Sequence, residues 1–81
     1  MKFTTVYRLR SLPFPEHVYT GLTDNLAARL AKHNEGGVPS TASFKPWQIE
    51  SAHAFSDKDK AARFERYLKT GSGREFARRH F

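Results

Sequence analysis

An α+β fold, a small three-stranded antiparallel sheet flanked by three helices in the order ββαβαα, is predicted by three observations. Residues alternate with a period of two over 3–9, 17–22 and 47–55. Apolar residues return at helical spacing over 25–33 and 58–69. Proline, glycine and capping residues fall in the gaps between these segments. The 81 residues leave room for one domain, taken as 1–81, and the absence of cysteine means that an apolar core must hold it together. Seven Phe, three Tyr and one Trp can supply that core.

In the first strand Phe3, Thr5, Tyr7 and Leu9 alternate with Thr4, Val6 and Arg8. Pro13 and Pro15 cannot continue a ladder, so residues 11–16 read as a hairpin connection. Val18, Tyr19 and Thr20 then resume strand character, and the two strands are expected to pair antiparallel. Thr23 and Asp24 are the expected caps of a first helix with Leu26 and Leu30 one turn apart. It should end near Asn34, because Gly36 and Gly37 follow and the chain to Pro46 is rich in Gly, Pro, Ser and Thr. The third strand is expected to carry Trp47, Ile49, Ser51 and His53 on one face. Asp57 caps a second helix whose stripe is Ala61, Phe64 and Leu68, and Gly71 stops it. Ser72 with Glu75 three residues on has the form of a capping box for a short third helix, 73–80, that packs Phe76 inward.

Charge narrows the function. The formal net charge is +6, and much of the excess lies late, in Lys58, Lys60, Arg63, Arg66, Lys69, Arg74, Arg78 and Arg79. Such a surface attracts phosphate backbones, which places nucleic acid ahead of anionic membrane among partners, with plain solubility as the simple alternative. No apolar run is long enough for a signal segment or a membrane span, so a soluble cytoplasmic protein is expected. Gly71 to Arg74 lacks P-loop spacing. His17, His53 and His80 lack metal-ligand spacing, and neither a Gly-x-Ser-x-Gly elbow nor a His-Glu-x-x-His pair occurs. P-loop, serine-hydrolase and zincin chemistry are thereby set aside.

Glu65 falls between Ala61 and Leu68, on the side of its helix that should be buried. A carboxylate there needs a cation, a hydrogen bond or a metal; a salt bridge to Lys69 at i+4 is the simpler use, and ligation of magnesium or manganese the functional one. Arg29 and His33 are four residues apart on one helix face. Such a face can be plainly solvated, or it can present a guanidinium to phosphate beside a base working near neutral pH. Tyr7 and Tyr19 lie in neighbouring strands, where their hydroxyls can approach or their rings simply pack. Gly21 ends that strand where backbone can approach a ligand.

Together these residues resemble the GIY-YIG nuclease superfamily, in its short single-domain bacterial type, over nearly the whole chain. Thr5-Val6-Tyr7 stands where the family has Gly-Ile-Tyr, and Tyr19-Thr20-Gly21 where it has Tyr-Ile-Gly. The run from Leu26 through Arg29, Leu30 and His33 to Asn34 is similar to the helix that follows, Phe44-Lys45-Pro46-Trp47 precedes the third strand, and Phe64-Glu65-Arg66-Tyr67-Leu68-Lys69 is similar to the helix carrying the metal-binding glutamate. The resemblance implies a metal-dependent DNA endonuclease; a small open sheet has little surface for reading a long duplex sequence, so single-stranded, branched or damaged DNA is the expected substrate. Tyr7, Tyr19, Arg29, His33 and Glu65 would be its catalytic residues, with Mg2+ or Mn2+ held at Glu65. Tyr7 would be the general base, His33 the acceptor of its proton, and Arg29 the neutraliser of phosphate charge. Lys69 would be a further phosphate contact. Many members place an asparagine after the glutamate; none follows Glu65, and Ser72 or Arg74 is expected to stand in. Two other readings are a nucleic-acid-binding module without turnover and a protein-interaction subunit of a DNA repair complex.

Overall fold

The computed structural model describes residues 2–81. Strands β1 (Thr4–Ser11), β2 (Val18–Thr23) and β3 (Trp47–Phe55) form one antiparallel sheet in the order β2-β1-β3. Helix α1 (Leu26–Asn34) connects β2 towards β3, and α2 (Lys58–Leu68) and α3 (Gly71–His80) follow. The architecture is the expected three-stranded sheet with three helices, and β3 begins and ends where the alternation places it.

Sheet order explains why β1 is the most buried strand. With a neighbour on each edge and helices over both faces, it places Val6 and Tyr7 inside on opposite sides. Val6 joins Ala61, Leu68 and Ala77 under α2 and α3, with Phe55, Phe64 and Phe76 packed around them. Tyr7 joins Leu9 and Trp47 under α1, with Leu26, Leu30 and Tyr19 around them. The sheet is thus covered on both faces by two separate apolar clusters.

Two helix caps differ from expectation. Asn25, rather than Thr23 or Asp24, accepts the Ala28 N–H at the start of α1. The Thr23 hydroxyl instead accepts the Asn25 N–H, and Asp24 accepts the Thr4 hydroxyl, so both earlier residues are spent on the turn. At α3 the cap is Thr70, whose hydroxyl accepts the Gly73 N–H, and the helix begins at Gly71; Glu75 does not reach back but pairs with Arg78 and Arg79. Asp57 caps α2 as expected. Gly36, at φ 81°, ends α1: its N–H donates to the His33 carbonyl and that of Gly37 to the Lys32 carbonyl.

The third strand carries the chief correction. Arg8 is opposite Ser51 but Leu9 is opposite Ile49, so Glu50 is an extra residue in β3. One inserted residue reverses the side-chain alternation. Trp47 and Ile49 therefore lie on the α1 face, opposite Ser11 and Leu9, whereas Ser51 and His53 lie on the α2/α3 face, opposite Arg8 and Val6; the four do not share a face. The bulge also brings the Glu50 carboxylate to Arg8 Nη1 (2.9 Å) and Arg10 Nε (2.7 Å).

The segment between α1 and β3 is tied down by polar contacts. The Asn34 side-chain amide accepts the Trp47 N–H at 2.6 Å and donates to the Trp47 carbonyl at 3.2 Å. The Trp47 indole donates to the Thr41 carbonyl at 3.0 Å. These bonds fix residues 35–46 against the end of the helix that carries Arg29 and His33.

Candidate active site

Antiparallel register sets Tyr7 directly opposite Gly21, with their side-chain directions on the α1 face. A Cβ built on Gly21 would collide with the Tyr7 hydroxyl, so the missing side chain makes the space into which the phenol points. Tyr19, two residues earlier on the same face, has its ring 6.2 Å from that of Tyr7. From above, α1 lowers His33 onto the pair, with ring centroids 5.9 Å from Tyr7 and 4.9 Å from Tyr19.

The Tyr7 hydroxyl is hydrogen-bonded to His33 Nε2 at 3.0 Å. On the far side of the imidazole, Nδ1 is hydrogen-bonded to the Thr41 hydroxyl at 2.8 Å. Tyr7, His33 and Thr41 are all nearly inaccessible, at 2%, 1% and 1% exposure. Burial pushes the Tyr7 phenol up to about 12, with Tyr19 and Glu65 adding to the rise and Arg29 opposing it. The same physics lowers His33 below its ordinary value: burial first, then the positive charges of Arg29 and Lys32. At neutral pH the phenol is therefore protonated and the imidazole neutral, so one hydrogen bond without a formal charge joins them.

Arg29 and Glu65 reach the site from opposite layers. Arg29, on the same face of α1 as His33, is half-buried; it lines two small hollows at the β2–α1 corner, one with Thr4 and Lys58, the other with Ala28 and Lys32. Among the ion pairs of the described residues none involves it. Glu65 comes from α2, on the other side of the sheet; its side chain is 18% exposed and its carboxylate is paired with Lys69 at 2.8 Å. That lysine is 52% exposed, so the pair opens to solvent. The carboxylate and the guanidinium are both close enough for their charges to act on Tyr7. Tyr7, Tyr19 and His33 are thus in direct contact, with Arg29 and Glu65 within electrostatic reach.

The expected substrate-binding residues divide. Lys69 and Arg74 line a cleft of about 540 Å³ at the β2 edge, together with Arg8, Glu16, Thr20 and Tyr19. Tyr19 thereby borders both the buried pair and the basic cleft. Ser72 is exposed in the first turn of α3. Thr41 was not singled out from the sequence: it sits in a Gly/Pro/Ser/Thr-rich connection, and only its tertiary contact with His33 marks it.

A family model described as the GIY-YIG catalytic domain matches residues 3–79. The chain belongs to the GIY-YIG catalytic-domain family. It is 41% identical over 56 residues to the UPF0213 protein SH2523 of Staphylococcus haemolyticus, covering 68% of each chain. It is also 39% identical over 74 residues to the structure-specific endonuclease subunit SLX1 of Debaryomyces hansenii, a match covering 83% of this chain but 21% of that protein. The chain therefore corresponds to about a fifth of the length of that relative. Membership of this family points to nuclease chemistry and a nucleic-acid substrate.

The family typically uses a divalent metal, and the donor set can be tested against that. Among the described residues no group of three or more His, Cys, Asp or Glu side chains could hold an ion by itself. A hard cation such as magnesium keeps several waters and is commonly held by one or two carboxylates plus substrate phosphate. A single partly exposed carboxylate, Glu65, whose partner Lys69 lines the basic cleft, fits that mode of binding and does not fit a closed structural site. Among the described residues, no helix is long and apolar enough to cross a membrane.

Proposed function

We propose that this protein is a metal-dependent DNA endonuclease that hydrolyses phosphodiester bonds. The observation that carries the reading is the buried hydrogen bond between the Tyr7 phenol and the neutral His33 imidazole, in the gap left by Gly21. A phenol with its pKa pushed up to about 12 is a poor preformed phenolate at neutral pH. It is suited instead to passing a proton on: as it takes one from the attacking water, its own moves to His33 Nε2. The raised pKa is then no handicap, because no free phenolate has to accumulate.

The remaining residues surround that transfer. Arg29, whose guanidinium has no carboxylate partner among the described residues, neutralises charge building up on the phosphate. Tyr19 orients the water or the phosphate between Tyr7 and the cleft. Glu65 holds a Mg2+ or Mn2+ ion, which when bound supplies Lewis-acid stabilisation of phosphate charge. Lys69 and Arg74 guide the nucleic-acid backbone along the β2-edge cleft, and Ser72, beside them on α3, adds a hydroxyl in place of the absent asparagine. The molecule is a slab 18 Å through its thinnest dimension and offers little surface for reading a long duplex. That geometry, and the structure-specific activity named for the Debaryomyces relative, support single-stranded or branched DNA as substrate.

The Glu65–Lys69 ion pair favours one rival, a nucleic-acid-binding module without turnover, because the lysine occupies the carboxylate that a metal needs. Labelled single-stranded, duplex and branched DNA, incubated with Mg2+ or Mn2+ and wild-type or Glu65→Ala protein, separate the two. An endonuclease cuts at least one form and loses about a thousandfold or more in rate with the substitution. Binding by both proteins with cleavage by neither would establish the module.

A further inference from the structure

We infer that Thr41 is a positioning residue that fixes the tautomer of His33, keeping the proton on Nδ1 and the lone pair of Nε2 turned to the Tyr7 hydroxyl. The inference rests on the endonuclease reading for its consequence in turnover, but its structural content stands on hydrogen-bond counting alone.

The Thr41 hydroxyl has one proton. The Val38 carbonyl accepts it at 3.2 Å and also accepts the Thr41 backbone N–H at 3.0 Å, closing a turn around residues 38–41. When the hydroxyl gives its proton to Val38 it meets His33 Nδ1 at 2.8 Å as an acceptor and Nδ1 carries the proton; giving it to Nδ1 instead would turn Nε2–H onto the buried Tyr7 phenol and leave the phenol proton without this acceptor. Nε2 is then the unprotonated one, and it accepts from Tyr7 at 3.0 Å. The chain of donors runs Tyr7, His33, Thr41, Val38 carbonyl, with every polar atom satisfied. The opposite tautomer places an N–H against the phenol oxygen, leaves the Tyr7 proton without this acceptor, and makes the histidine unable to receive it.

Thr41 is suited to this role because it cannot drift. Its carbonyl accepts the Trp47 indole N–H at 3.0 Å, and Trp47 is held by Asn34 of the same helix that carries His33. A buried hydroxyl with a fixed direction sets the imidazole as a second carboxylate or carbonyl does at many catalytic histidines. Thr41 itself is 1% exposed and touches no part of the cleft, so substrate affinity should be indifferent to it.

The test uses the whole chain labelled with 15N at histidine, with His33 assigned by the signal missing in His33→Gln. At about pH 8, where histidines are neutral, long-range 1H–15N correlations should show His33 protonated on Nδ1; protonation on Nε2 in the wild type overturns the inference without any variant of Thr41. In Thr41→Val the Nε2–H form should appear, and kcat on cleaved DNA should fall roughly ten- to hundredfold, within the range of general-base effects, with KM within about twofold. Thr41→Ser, which restores the hydroxyl, should recover both the Nδ1–H signal and the rate. An unchanged tautomer and kcat in a folded Thr41→Val protein also overturns it. Should the wild type cleave no DNA, the endonuclease reading fails while the spectra still decide the tautomer.

Discussion

Two histidines, the buried His33 and the half-buried His53, lie on opposite sides of the same sheet, and they are treated differently. His33, under the α1 layer, has both ring nitrogens engaged, by Tyr7 and by Thr41. His53, on β3 under α2 and α3, has its Nε2 buried without a partner and its ring packed 5.2 Å from Phe64 and 4.6 Å from Phe81. Burial lowers both pKa values, aided by Arg29 and Lys32 at the first and by Arg8 at the second. A depressed histidine is therefore not by itself a sign of chemistry. What distinguishes His33 is the directed bond on each nitrogen and the phenol at one end.

The contrast can be broken or sharpened by substitution. Tyr7→Phe removes the hydroxyl and leaves the ring in place; cleavage should drop about 10²- to 10⁴-fold with the circular dichroism spectrum unchanged, and a full rate would show that Tyr7 is not the base. The equivalent change at the other face, His53→Phe, should leave the rate within about twofold, since no reacting group touches that ring. Gly21→Ala should be felt twice. The new methyl meets a phenol already backed by His33, which costs about 1–3 kcal/mol of stability in denaturant melts and roughly 10²-fold in rate through misplacement. A variant of native stability and rate would mean that the Tyr7–Gly21 gap has slack.

Acidification offers a subtler comparison. Each histidine titrates lower in the folded protein than at its ordinary value of 6.5, so below that pH the unfolded chain binds more protons. Stability is then fully present above about pH 6.5 and lost as pH falls towards the folded-state values, by at most about 1.4 kcal/mol per pH unit for each histidine. His53→Phe should flatten this slope and, by removing an unsatisfied nitrogen, leave the protein at neutral pH as stable as before or more so by about 1 kcal/mol. A slope unaffected by that substitution would place the acid sensitivity elsewhere.

Most of the fold was legible because its signals are local. Two-residue alternation, one-turn apolar spacing and the stops at Pro13 and Gly36 depend on neighbours in the chain, and they located the strands and helices within a few residues, although Gly71, expected to stop α2, opens α3 instead. Caps were less legible at α1 and α3: Thr23, Asp24 and Asn25 are all competent, as are Thr70 and Ser72, and the choice among them is made by the turn that precedes each helix. The bulge at Glu50 had no local mark. It exists because β3 pairs with β1 across some forty residues of chain, and it sent Ser51 and His53 to the face opposite Trp47.

At the candidate site the sequence carried residue types and spacing: Arg29 and His33 one turn apart, Tyr7 and Tyr19 on adjacent strands, and Glu65 on the inward side of its helix. The i+4 pair of Glu65 with Lys69 was also legible there, but the sequence could not say that Thr41 meets His33 or that Gly21 makes room for a phenol. By itself the sequence determined the order of elements, the basic surface and the family, since these follow from periodicity, composition and motif order along the chain. Only the tertiary structure decided which hydrogen bonds the buried phenol and imidazole make, because a hydrogen bond needs two groups within about 3 Å in the right direction, and the chain brings those groups together from distant positions.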